Sequence, residues 1–191
     1  MQVRANQFVY FIAVVLFVIS AGSAFAQKME AQLSSELIDY ANREVQTSLS
    51  TNQIDEASDD QVLQLVKDNL LSKMKKNLSD ESAVFSGFSS GRQVIYTIWQ
   101  IEAEVNNGGF HQLFTSTAGK FIENAETAFK AIQASRFADL VREVNEEHRK
   151  GSANTDWKSF DNKFLSLYDQ EDLQKLKIAY IRANKHEFAD N

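Results

Sequence analysis

Apolar residues recur every three or four positions along most of this chain, and glycine or polar stretches interrupt the pattern at a few points. That period predicts helices. Leu33, Leu37, Ala41, Val45 and Leu49 form a first stripe, and the polar run from Ser50 to Asp60 reads as an acidic linker. Val62, Leu63, Val66, Leu70 and Met74 form a second stripe, for which Asp59 or Asp60 can serve as N-cap. Residues 79–90 carry turn chemistry and predict a loop, ending at Ser89 or Ser90 as the cap of a helix over 92–105. Further stripes follow: Phe121, Ile122, Ala125, Phe129 and Ile132; Phe137, Leu140, Val141 and Val144 up to a break at Gly151-Ser152; and Trp157, Phe160, Phe164 and Leu167. A last helix opens at Asp169, with Asp172 three residues on as a near capping box, and turns Leu173, Leu176, Tyr180 and Ala183 inward. No segment alternates apolar and polar residues as a half-buried strand does. The fold class is therefore all-α, a single compact bundle of six to eight helices, with the Phe-rich segments as core.

The N-terminus departs from this pattern. Arg4 is the only charge before Lys28, an unbroken apolar run covers Phe8 to Ile19, and Ala24-Phe25-Ala26 precedes Gln27. A short basic region, an apolar core too short to span a bilayer and a small-x-small site describe a cleavable secretory signal peptide over residues 1–26. Retention as a membrane anchor is the rival reading. Cleavage sets the expected organisation: a signal peptide over 1–26, an N-terminal helix and acidic linker over 27–58, and a helical domain over 59–191. The product is exported, periplasmic or secreted, and free of the membrane.

Charge and cysteine content narrow the function classes. The whole chain carries 20 basic and 26 acidic residues, and loss of Arg4 with the leader leaves 19 bases and a net charge of −7. Direct nucleic-acid binding needs a basic face, and the one cluster, Lys73-Met74-Lys75-Lys76, fits the last turn of a helix. No cysteine is present, which excludes disulfides, lipid attachment at cysteine and thiolate metal sites. Gly108, Asn145 and Ala183 stand three residues before the three histidines, so the Glu-x-x-His spacing of a di-iron bundle is missing. No cofactor or metal is expected.

The one informative stretch is Glu102-Ala103-Glu104-Val105-Asn106-Asn107-Gly108-Gly109-Phe110-His111-Gln112. On the helix over 92–105, Val94, Ile98, Ile101 and Val105 share a narrow arc at about 100° per residue. Glu102 falls between that arc and the shoulder made by Ile95 and Trp99, so its carboxylate should be partly desolvated. Asn106 to Gly109 then end the helix, and Phe110 to Phe114 can start a short new one. Two readings stay open. Glu102 or Glu104 can converge with Asn106, Asn107, His111 and Gln112 around the glycine pair as a polar binding pocket. Alternatively, a buried Glu102 accepts backbone N–H groups of the turn and locks the corner.

Trp99 followed by this Glu-x-Glu-Val-Asn-Asn-Gly-Gly-Phe-His-Gln run, with Phe114 and a closing Leu-Tyr-Asp-x-Glu-Asp-Leu, resembles the bacterial DNA-mimic-protein C-terminal-like family over about residues 60–188. The resemblance implies an all-α fold, often dimeric, and for some members an acidic surface that imitates duplex phosphates. In this chain acids and bases interleave, as in Asp139-Leu-Val-Arg142-Glu143 and Glu146-Glu147-His148-Arg149-Lys150. The expectation is an exported, non-catalytic helical module that binds a protein partner. Its rivals are a hydrolase-type enzyme using Glu102 or Glu104 with His111, and an acidic DNA mimic.

Overall fold

The computed structural model describes residues 47–75, 81–152 and 154–190. The segment expected to be a signal peptide and the first apolar stripe, up to Val45, lie outside the described residues. Eight α-helices and two 3-10 turns make up the described part: α1 (Thr51–Glu56), α2 (Asp59–Lys75), α3 (Glu81–Ser86), α4 (Ser90–Thr115), a 3-10 turn (Thr117–Phe121), α5 (Ile122–Ala131), α6 (Ser135–Lys150), α7 (Trp157–Leu167), α8 (Leu173–Ala183) and a closing 3-10 turn (Lys185–Glu187). No strand occurs among the described residues. The all-α class and the helical bundle are as the hydrophobic period predicts.

Helix α4 is the central element, with α5 and α7 packed against it, α6 covering α5 and α7, and α8 lying against α2. Phenylalanines link the layers. Phe110 of α4 meets Phe164 of α7 edge-on at 5.6 Å, Phe164 meets Phe137 of α6 at 5.1 Å, and Phe137 stacks on Phe129 of α5 at 5.4 Å. All four are fully buried. Each such side chain contributes about 2–3 kcal/mol through burial, plus a smaller gain from edge-to-face geometry. The expected stripes of α5 and α6 are all buried, and Gly151 ends α6 in the left-handed conformation (φ 65°).

Four local expectations change. The run from Ser50 to Asp60 is not wholly linker, because Ser50 and Gln53 exchange side-chain and backbone hydrogen bonds as a capping box and start α1, which buries Ile54. Asp59 and Asp60 lie in the first turn of α2 rather than at its cap, which falls on Ser58. Residues 81–86 form α3 rather than loop, anchored by Glu81, which accepts from the Tyr96 hydroxyl at 2.6 Å and from Lys120 at 2.9 Å. The last helix opens on Asp172, whose carboxylate accepts the Lys175 N–H at 2.9 Å, and Ile178 and Ile181 complete its buried face while Ala183 is exposed.

The chain ends of the described region meet at one carboxylate. Asp190 accepts hydrogen bonds from the Leu49 N–H (3.0 Å), Asn69 (2.7 Å) and Arg92 (2.7 Å), and forms an ion pair with Lys73 (2.6 Å). Its own N–H donates to the Leu49 carbonyl at 2.6 Å. Nearby, Glu187 caps α4 by accepting the Gly91 N–H at 2.9 Å, and a Cβ at Gly91 would stand 2.7 Å from the Glu187 Cβ. Burial pushes the Asp190 carboxyl up, but the hydrogen bonds from Lys73, Asn69 and Leu49 and the charge of Arg92 outweigh it and hold the group down at about 2. A carboxyl depressed from 3.8 to about 2 stabilises the fold above the unfolded value and loses that contribution as pH falls through the folded one. Asp190→Asn should therefore cost about 1–2 kcal/mol at neutral pH, allowing for solvent screening, and the difference from wild type should vanish by about pH 2. Urea melts at several pH values check both the size and the window.

Candidate functional site

The glycine pair ends one helix and a second follows at once up to Thr115, as the Asn-Asn-Gly-Gly stop predicts: α4 is two helices joined across a kink, with Gly108 (φ −159°, ψ 20°) and Gly109 (φ 76°, ψ −175°) non-helical between them. The Gly109 conformation belongs to a region that only glycine adopts readily. The second half of the helix therefore starts afresh at Phe110, with a backbone N–H that the first half cannot satisfy.

Asp161 of α7 satisfies it. The Phe110 N–H donates to Asp161 Oδ1 at 2.8 Å, and a Cβ on Gly109 would lie 2.3 Å from Asp161 Oδ2. A carboxylate at a helix N-terminus is favoured by the charge of the helix dipole. The corner is thus locked by a carboxylate, as one of the two sequence readings has it, but the carboxylate is Asp161 and not Glu102.

Glu102 has other partners. It accepts from the Lys177 ammonium of α8 at 2.6 Å and from the Tyr168 hydroxyl at 3.2 Å, and Tyr168 in turn accepts from the Asn106 amide at 3.1 Å. The Lys177 and Glu102 side chains are 15% and 14% exposed, so the pair is largely withdrawn from water. The partial desolvation expected of Glu102 is present, answered by a cation on another helix. Burial and the neighbouring Glu102 charge push the Tyr168 phenol well above its ordinary range, so it stays a neutral donor to the carboxylate.

The other motif residues divide between core and surface. Phe110 and Gly109 are buried, and Gln112 reaches back across the break to donate to Glu104 at 2.8 Å. Asn107, Gly108 and His111 are exposed, and the His111 side chain makes no hydrogen bond among the described residues. The structure therefore groups Glu102 with Asn106, and Glu104 with Gln112, and joins neither carboxylate to His111 by a hydrogen bond. His148 lies exposed at the C-terminal end of α6, its ring stacked on Phe114 at 3.6 Å, and His186 is exposed. Among the described residues no three His, Asp or Glu side chains gather into a metal-binding group, and no helix is long and apolar enough to cross a membrane.

Sequence reasoning missed Asp161, Tyr168 and Lys177. For Asp161 and Lys177 a usable signal was present, since each is a polar position set within the apolar face of its own helix, whereas Tyr168 is the C-cap of α7. Asp161 stands between Trp157 and Phe164, and Lys177 between Leu173 and Tyr180. Lys177 also borders a groove of about 310 Å³ between α2, α4 and α8, where Trp99 forms part of the wall.

The family model described as DMP19-like protein matches residues 86–184, which is 99 of the 191 residues and includes the whole motif, Asp161, Tyr168 and Lys177. No curated protein and no solved structure matches the chain.

These contacts order four substitutions. Gly109→Ala combines a forbidden backbone conformation with the Asp161 clash and should cost most, about 2–4 kcal/mol. Glu102→Gln strands the Lys177 charge and should cost about 1–3 kcal/mol. Asp161→Asn should cost about 1 kcal/mol through the weakened cap, and His111→Ala should stay within about 0.5 kcal/mol of wild type. Thermal and urea melts of the four variants give the order directly, and a Glu102→Gln variant as stable as wild type would remove the structural role assigned to this pair.

Proposed function

The chain belongs to the DMP19-like protein family, and from that premise we propose that it is a non-catalytic helical module that binds a protein partner after export. The family name stands for DNA mimic protein 19, which fits a protein partner better than a nucleic acid. One observation carries the non-catalytic part of the reading. Every carboxylate in or beside the motif is occupied by a partner from its own chain: Glu102 by Lys177 and Tyr168, Glu104 by Gln112, and Asp161 by the Phe110 N–H. A hydrolytic pair needs its carboxylate and imidazole within hydrogen-bond reach, and among the described residues neither Glu102 nor Glu104 is hydrogen-bonded to His111.

The surface favours a partner other than one that reads duplex phosphates. Many exposed acids are matched by nearby cations. Glu126 pairs with Lys130 (2.6 Å), Asp139 with Arg142 (3.1 Å), Glu147 with Lys150 (2.8 Å), and Glu123 with Arg149. A phosphate mimic needs a run of carboxylates whose field is not cancelled locally. Export rests on Arg4, the apolar run and the Ala24-Phe25-Ala26 site in the sequence.

Two outcomes test this reading. Mass spectrometry of the protein from its native host should find Gln27 at the N-terminus; intact Met1 in the cytosolic fraction would refute export. Partners that co-purify without cross-linking from the exported fraction should stay bound as salt rises, because the surface charges are already paired. Capture of DNA-binding proteins that dissociate with rising salt would establish mimicry instead.

A further inference from the structure

The groove beside the motif has the chemistry of a ligand site. Its floor is apolar, made by Leu63 and Leu70 of α2 and Ile95 of α4. Trp99 forms one wall, half-buried, and the Lys67 ammonium sits 5.1 Å from the centre of its ring. Lys177 enters from α8, with Gln64 and Gln174 alongside. The two ammonium groups differ in what they already hold. Lys177 gives one donor to Glu102 at 2.6 Å and keeps others, whereas Lys67 makes no ion pair among the described residues.

An ammonium with no counter-ion among the described residues, held beside an aromatic wall over an apolar floor, is complementary to an anion with an apolar body. The acid that also lines the groove is Asp60, exposed at the start of α2 and about 10 Å along the helix axis from Lys67. Its repulsion therefore bears on the far end of the groove. A volume of about 310 Å³ suits a small molecule and is short for a peptide segment.

We propose that this groove is a binding site for a small aromatic carboxylate, the ring lying against Trp99, Leu63, Leu70 and Ile95 and the carboxylate received by Lys67 with Lys177 in support. The site does not depend on the protein-binding role proposed above. Nor does it use Glu102 as a base: that carboxylate stays behind Lys177 and holds it in place.

The chain has two tryptophans, Trp99 and Trp157, so the full chain carrying Trp157→Phe reports on the groove through Trp99 fluorescence alone. Phenylacetate should change that emission saturably, with millimolar affinity. Phenylacetamide, of the same shape without the charge, should bind at least about tenfold more weakly. Lys67→Met keeps the apolar stem and removes the ammonium, and should weaken phenylacetate by about tenfold; Lys67→Gln serves in its place if the first variant does not fold. The proposal is overturned if phenylacetate gives no saturable change in a folded protein, if acid and amide bind alike, or if a folded Lys67 variant binds phenylacetate as well as its parent.

Discussion

The fold depends on the break in α4. A 26-residue helix that stayed straight would project about 39 Å, longer than a small bundle is wide. At Gly109 the backbone takes a conformation that other residues rarely adopt, and a second helix starts across a kink. Phe110, the first residue after the break, enters the core and begins the chain of rings that joins α4, α7, α6 and α5. The break also creates an unpaired N–H, and Asp161 answers it from α7. Gly109 and Asp161 are therefore one device. The glycine makes room for the carboxylate, and the carboxylate stabilises the restart that the glycine permits.

A polar series of contacts also leaves α4. Asn106, Tyr168, Glu102 and Lys177 form a continuous series of hydrogen bonds from the break to α8. Each member satisfies the next, and at its largely buried end, Glu102 with Lys177, this is the condition under which a polar network holds elements in register rather than weakening them. Tyr168 joins this series to the phenylalanines: its ring meets Phe164 at 5.8 Å and Phe137 at 5.4 Å, and its hydroxyl serves Glu102. The phenol is neutral because both burial and the adjacent carboxylate disfavour its anion.

What could be read from the sequence follows from which interactions are local. The hydrophobic period placed α5 and α6 correctly, since Phe121 to Ile132 and Phe137 to Val144 each need only their own helix to be recognised. The Gly151 stop and the Ser89 cap were legible for the same reason. The short helices α1 and α3 were not, because six residues carry too little period, although Ser50 with Gln53 was a capping signal. In the motif, the glycines announced a break and the position of Glu102 announced desolvation. The partners could not be read. Asp161 is 51 residues from Phe110 and Lys177 is 75 from Glu102, and nothing in one sequence pairs positions that far apart.

The motif and the groove share Lys177, and this bears on how the family signature relates to function. A signature dominated by Glu102, Asn106 and a glycine pair looks like a site because its residues are polar and clustered in sequence. In three dimensions those residues face one another and α7, and they spend their hydrogen bonds holding helices together. The groove that opens on solvent is lined instead by residues with no motif character: Lys67, Gln64 and Gln174 beside Trp99. Glu102 still influences it. By taking one donor of Lys177 and most of its charge, it leaves Lys67 as the stronger field in the groove. The motif sets the electrostatics of the neighbouring surface without being part of it.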